Sequence, residues 1–231
     1  MFAVTLALYA EGSTDGAFLP EIILQTTEEI LLDLGYSHSE MNIELPYCRW
    51  EKPTDTVKRD ECILRVAQET PGYDILIIHS DGDDRGYEQT IAELFQPGQE
   101  SVLKVARDRR NEVCEHLVPI IPVRMTEAWM LADPDALCRV LDIEIKKVST
   151  LGIPPKAKLV EKEPNPKTTL NHIINRVYPS ASTSKWQGLK NDLYEGLGSE
   201  ISLKRLSEVP SYQQFVQDMT AALQRLHFIQ K

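Results

Sequence analysis

Apolar positions in the first 140 residues alternate between two periods. Ala3–Ala10 (AVTLALYA) is a short apolar run that stops at Glu11-Gly12, which predicts a buried strand followed by a turn. From Thr14 to Leu34, Phe18, Leu19, Ile22, Ile23, Ile30, Leu31 and Leu34 recur at helical spacing. Gly35 is the expected stop, and Pro20 is expected near the first turn, where a missing N–H is tolerated. Asn42–Trp50 predicts a second strand and Thr56–Glu69 a helix closed by Pro71-Gly72. Tyr73–His79 (YDILIIH) is the most strand-like run, and it breaks at the acidic loop SDGDDRG. The helical region that follows is expected to be interrupted at Pro97-Gly98 and to resume over Val102–Leu117. Leu117–Val123 predicts a fourth strand whose prolines point to an edge position or an early end. RMTEAWMLAD predicts a helix, with Asp133-Pro134 as the N-cap and first position of the next.

Strands alternating with helices imply an α/β fold with a mainly parallel central sheet flanked by helices and joined by right-handed crossovers. That pattern covers residues 1–140. Residues 141–231 read as a mostly helical C-terminal extension packed on it. They comprise a proline- and lysine-rich loop (IPPKAKLVEKEPNPK), helices at Thr168–Tyr178 and Lys185–Leu197, and a final amphipathic helix. In that last helix Ser211-x-x-Gln214 reads as a capping box, and Tyr212, Phe215, Val216, Met219, Leu223 and Leu226 form one apolar face.

Composition narrows the class. The chain has 231 residues, 42% hydrophobic, enough for an ordinary buried core. No apolar run approaches the roughly 18 residues of a membrane span, and the N-terminus lacks the basic flank and cleavage site of a secretory signal. A cytoplasmic protein with no membrane partner is expected. The four cysteines, at 48, 62, 114 and 138, form no CxxC pair, which argues against a zinc ribbon and for small buried hydrophobes. The net charge of −10 is uneven: 20 acidic and 6 basic residues lie in positions 1–100, against 15 and 19 in the remainder. Basic residues at 104–110 and from Lys146 to Lys167 read either as solvated helix faces or as a surface that tracks phosphates.

The acidic residues supply the candidate chemistry. In a parallel α/β sheet, ligands gather at the carboxyl ends of the strands. Glu11 follows the first strand, Asp81 and Asp83 the third, and Glu127 lies just past the fourth. Carboxylates converging on one edge repel one another unless a cation neutralises them. Hard oxygen donors in that number favour Mg²⁺ or Mn²⁺. Taken singly, each has a simpler explanation, as a turn residue or as an acid in the first turn of a helix, as for Asp15. Trp50, Trp186 and the aromatic of AWML read as packing residues.

LALYAEGSTDGAFL followed by YDILIIHSDGDD resembles the Toprim domain, in which a strand ends in Glu-Gly and a later hydrophobic strand ends in Asp-x-Asp. EGSTD…FL and the later Arg124-to-Asp133 segment (RMTEAWMLAD) look most like a Toprim-like branch often found beside ATPases in prokaryotic defence loci. The resemblance covers about residues 3–135. It implies a nuclease dependent on Mg²⁺ or Mn²⁺, acting on DNA or RNA, with an ATPase as partner protein and a role in anti-phage defence. Glu11 would match the Toprim glutamate, a metal ligand or proton-transfer group, and Asp81 and Asp83 the metal-holding pair. Larger nucleases of the superfamily add another carboxylate and a basic residue. Glu127 matches the first by type and position, and Lys167, Lys156 or Lys158 the second. The chain has neither a zinc ribbon nor a strand-passage domain, so topoisomerase and replicative primase are not expected.

Three other readings remain open from the sequence. Asp81 and Asp83 could act as nucleophile and acid of a phosphatase, or hold the metal of a nucleotide-sugar enzyme. The chain could also be a non-catalytic module docked on an ATPase. A homodimer is the default closed assembly.

Overall fold

Strand β1 (Phe2–Ala10) carries apolar side chains on both faces, as a central parallel strand must. Phe2, Val4, Leu6, Leu8 and Ala10 enter one core and Ala7 and Tyr9 another, following the two-residue period of a strand. Leu6 and Leu8 are fully buried, each contributing about 1.5–3 kcal/mol. In the computed structural model, residues 1–51, 57–144, 152–154, 156–179 and 183–229 are described. Among them the sheet has four parallel strands in the order β2-β1-β3-β4, with β2 at Met41–Trp50, β3 at Ile75–His79 and β4 at Leu117–Ile120. The expected α/β architecture with a parallel sheet is therefore what the chain adopts.

The helices are α1 (Ser13–Asp33), α2 (Arg59–Glu69), α3 (Gly86–Thr90), α4 (Gln96–Asp108), α5 (Thr126–Met130), α6 (Pro134–Val140), α7 (Pro166–Val177), α8 (Thr183–Glu200), α9 (Leu203–Leu206) and α10 (Pro210–Ile229). One face of the sheet packs on α2 and α4 through Cys62, Ile63, Val66, Val102 and Ala106. The other packs on α1 and α5–α10, so the C-terminal helices share a core with β1, β3 and β4. The chain runs from β1 outward to β2, then returns past β1 to β3 and β4. The crossovers thus diverge between β1 and β3, which makes the carboxyl ends of those strands the switch point where the ligand crevice of a parallel α/β sheet lies.

Several local expectations are corrected. Pro20 lies inside α1, well beyond its first turn. Position 97 does not break the helix. A π-turn at Ile91–Phe95 joins α3 to α4, and the change of pairing there, with the Gln96 N–H donating to the Ile91 carbonyl, accommodates Pro97 directly after it in a continuous helix. Gly98 lets α4 approach α2 closely, since a Cβ there would lie 2.5 Å from Ile63 Cδ1. That helix ends at Asp108 rather than Leu117. Strand β4 stops at Ile120 and is an edge, as its prolines foretold. The helix expected from Thr56 begins at Arg59; Thr56 itself lies outside the described residues. Within the expected proline-rich loop, Ala157–Lys162 winds into 3-10 turns.

Ser211 is no N-cap, because α10 already starts at Pro210. Its N–H donates to Glu161 Oε1 at 3.0 Å, and its hydroxyl accepts from Trp129 Nε1 at 2.8 Å. Asp133 does cap α6, accepting from the amides of Asp135 and Ala136. Trp129 is fully buried, as expected of a packing residue, whereas Trp50 packs only in part, against Gly16 of α1, and is 55% exposed. Lys146 and the side chain of Trp186 lie outside what is described. Cys62, Cys114 and Cys138 are buried and Cys48 partly so, all as free thiols. Among the described residues no helix is long and apolar enough to cross a membrane.

Candidate metal centre

The end of β3 sets the site. His79, its last residue, is fully buried between two carboxylates. Nδ1 lies 3.8 Å from Asp15 Oδ2, and Nε2 lies 3.5 Å from Asp81 Oδ1. Asp15 comes from the first turn of α1, where an acid is favoured by the helix dipole. Asp81 comes from the loop after β3. Asp15, His79 and Asp81 each offer one ligand atom within 4.8 Å of the others, a group able to hold a cation. Thr126, at the start of α5, fixes two of them. Its N–H donates to Asp81 Oδ1 at 3.2 Å, and its hydroxyl meets His79 Nε2 at 3.1 Å.

Burial works against a charged imidazole, but Asp15, Asp81 and Glu11 outweigh it and hold the His79 pKa above its ordinary value. The Glu11 amide donates to His79 Nδ1 at 3.4 Å, so the turn after β1 is seated on the end of β3. Burial raises the Glu11 carboxyl pKa, and the nearby Arg59 guanidinium and His79 lower it only in part.

Arg59, the first residue of α2, is 7% exposed and lies 4.6 Å above the Tyr9 ring. It donates to the His79 carbonyl and, at 2.7 Å, to the Ser80 hydroxyl. Its Nη1 stands 3.7 Å from Glu11 Oε1. Among the described residues, Nε and Nη1 of Arg59 have no hydrogen-bond partner. Such a buried cation is stable only beside negative charge, which here is Glu11.

On the far side of the crevice, Glu127 is 4% exposed. It accepts from the Tyr194 hydroxyl at 2.8 Å and lies 3.8 Å from Lys167 Nζ. Burial, then the charges of Glu127, Asp15 and Asp81, push the Tyr194 phenol far up, so it stays a donor. Lys190, one helical turn before Tyr194, sits 5.1 Å from its ring, and burial and Lys167 lower its pKa. Helix α8 reaches this position because Gly198 lets it touch α1. A Cβ there would be 2.6 Å from the Phe18 carbonyl oxygen.

The sequence-expected residues therefore divide. Glu11, Asp81, Glu127 and Lys167 stand around the crevice. Asp83 does not belong to the three-residue group. It has a φ of 45°, its carboxylate is 56% exposed, and it pairs with Arg85 at 3.2 Å. Its backbone forms an isolated bridge with Arg124, whose side chain pairs with Asp84. Lys156, just before the 3-10 segment, and Lys158, on it, are exposed. His79, Arg59, Tyr194 and Lys190 were missed. A polar residue closing an otherwise apolar strand was the signal for His79; the other three carry none in sequence.

Fold and crevice define an α/β protein with an Asp-His-Asp group at the switch point of a parallel sheet. The chain matches the DUF4276 family, described as a domain of unknown function, over residues 10–220, and it belongs to that family. No curated protein and no solved structure matches it.

Proposed function

We propose that the chain is a divalent-metal-dependent phosphodiester hydrolase acting on DNA or RNA, of Toprim-like type. The observation that carries this reading is the Asp15–His79–Asp81 group, with Glu11 beside it and Lys167 and Lys190 across the crevice. Two carboxylates and an imidazole fit a divalent cation, and the nitrogen donor suits Mn²⁺ better than Mg²⁺. Asp15, His79 and Asp81 would hold the ion, with Glu11 at its edge. Such an ion, when bound, polarises a phosphoryl oxygen and lowers the pKa of water.

The remaining work falls to the chain. Glu11, whose pKa is raised by burial, is suited to take a proton from water and release it. Arg59 keeps Glu11 and the end of β3 in place. Lys167 and Lys190 would balance charge on the phosphate oxygens. Glu127, fixed by Tyr194, keeps Lys167 over the crevice. Anti-phage defence and an ATPase partner remain part of this reading as consequences of the resemblance.

A second reading has its own support. Arg59 stands beside Glu11, and the Thr126 amide and the His79 ring already satisfy Asp81 with no ion present, as a non-catalytic module docked on an ATPase would need. The test is cleavage of plasmid, single-stranded DNA and total tRNA with Mn²⁺ or Mg²⁺, comparing wild type with Glu11→Gln and Asp81→Asn. Metal-dependent cleavage lost in both variants supports the hydrolase. Wild-type activity in Asp81→Asn ends it.

A further inference from the structure

Trp50 is a large aromatic side chain left 55% exposed, and its place is informative. It ends β2 at the same sheet edge as the metal group and pairs with Ala10, the residue before Glu11. Its ring rests on the start of α1. A Cβ on Gly16 would come 3.3 Å from Trp50 Cε3, and Gly16 follows Asp15 directly. With strands about 5 Å apart, Trp50 stands roughly 10 Å along the edge from β3 and Asp81.

The backbone around Trp50 is held firmly. Tyr9, the ring beneath Arg59, donates its hydroxyl to the Glu51 carbonyl at 2.9 Å, and the Glu51 amide donates to the Ala10 carbonyl at 3.1 Å. The acidic side chain beside Trp50 is neutralised. Glu51 is paired with Arg49 at 3.0 Å and with Arg65. An open aromatic ring on a fixed backbone, next to a phosphate-directed site and with the adjoining Glu51 carboxylate paired, is what a stacking base requires.

We propose that Trp50 is a stacking platform for an unpaired nucleobase next to the scissile phosphate, so that the substrate is single-stranded at the site. The inference rests on the hydrolase reading and adds the substrate class. A paired base presents no free face to a side chain, whereas every unpaired base does.

The experiment compares wild type, Trp50→Phe and Trp50→Ala on a mixed-sequence single-stranded oligonucleotide, as DNA and as RNA, and on the matching duplexes. Binding is read by fluorescence anisotropy without metal, and cleavage with Mn²⁺. Losing one stacking aromatic weakens single-strand binding by roughly 5- to 150-fold. The expected result is a loss of that order in Trp50→Ala, seen in KM rather than kcat. Duplex binding and the melting temperature should be unchanged, and Trp50→Phe should retain most of the affinity. Equal single-strand binding by wild type and Trp50→Ala overturns the inference, as does absence of single-strand binding by wild type; either result turns Trp50 toward a protein partner. Trp50-dependent binding without cleavage keeps the platform and removes the hydrolase reading. Cleavage that is indifferent to Trp50 does the reverse.

Discussion

Tyr194 donates its hydroxyl to the buried carboxylate of Glu127 at 2.8 Å, which joins a helix from the last fifth of the chain to the edge of the crevice. The bond makes the C-terminal helices part of the site rather than an appendage to it. Glu127 also lies 3.8 Å from Lys167 and within electrostatic reach of Lys190.

Tyr194→Phe leaves that carboxylate without its buried donor. A lost hydrogen bond to a buried charged acceptor costs about 1.5–3 kcal/mol. In a chain of this size each kcal/mol lowers the melting temperature by roughly 2–4 °C. Thermal unfolding should therefore show a drop of several degrees, and an unchanged melting temperature would count against the bond.

Gly198→Ala tests how α8 is seated. The new Cβ meets the Phe18 carbonyl oxygen at 2.6 Å, a backbone atom that cannot swing aside. Overpacking of this kind costs about 1–3 kcal/mol. Denaturant unfolding should show the loss, whereas Gly188→Ala, where a Cβ meets open space, should be neutral or slightly stabilising.

Alkaline stability should depend on Tyr212. Burial pushes its phenol up from 10.0 to about 12, partly offset by the hydrogen bond with Thr26. A folded-state pKa above the unfolded one contributes stability that is complete below pH 10 and is lost as pH rises toward 12. The difference is on the order of 2–3 kcal/mol. Tyr212→Phe should flatten this part of the curve of unfolding free energy against pH between 10 and 12, and an unaltered curve would contradict the assignment.

Asp81 and Asp83 should separate in mutagenesis. Asp81 takes the Thr126 amide and faces His79, whereas Asp83 faces Arg85. Asp81→Asn should lower Mn²⁺ affinity at least tenfold while keeping an acceptor for Thr126. Asp83→Asn should lower it less, as measured by calorimetry. The reverse order would place the cation on the outer part of the loop.

Strands β1, β3 and β4 were legible because they are nearly unbroken apolar runs, and the carboxylates at their ends could be placed from the strand ends alone. Asp15 was visible only as a helix-start acid, since sequence does not show which face of the first turn meets β3. Arg59 opens an ordinary amphipathic helix, and its burial depends on Tyr9 and Ser80, which are distant in sequence. Tyr194 and Lys190 reach the crevice through the Gly198 contact, a tertiary event with no local signature. The Ser211 capping pattern misled because Pro210 had already begun the helix, leaving the hydroxyl free for Trp129. Trp50 reads as a packing residue on residue type, and strand position alone does not show that it ends β2 with more than half of its surface exposed.

The most direct measurement of the central claim is calorimetric titration of Mn²⁺ into the wild-type protein, Asp15→Asn and Asp81→Asn. Wild type should show one saturable site, weakened at least tenfold in both variants with their folds intact by circular dichroism. No binding to wild type, or equal binding by all three proteins, would contradict the claim.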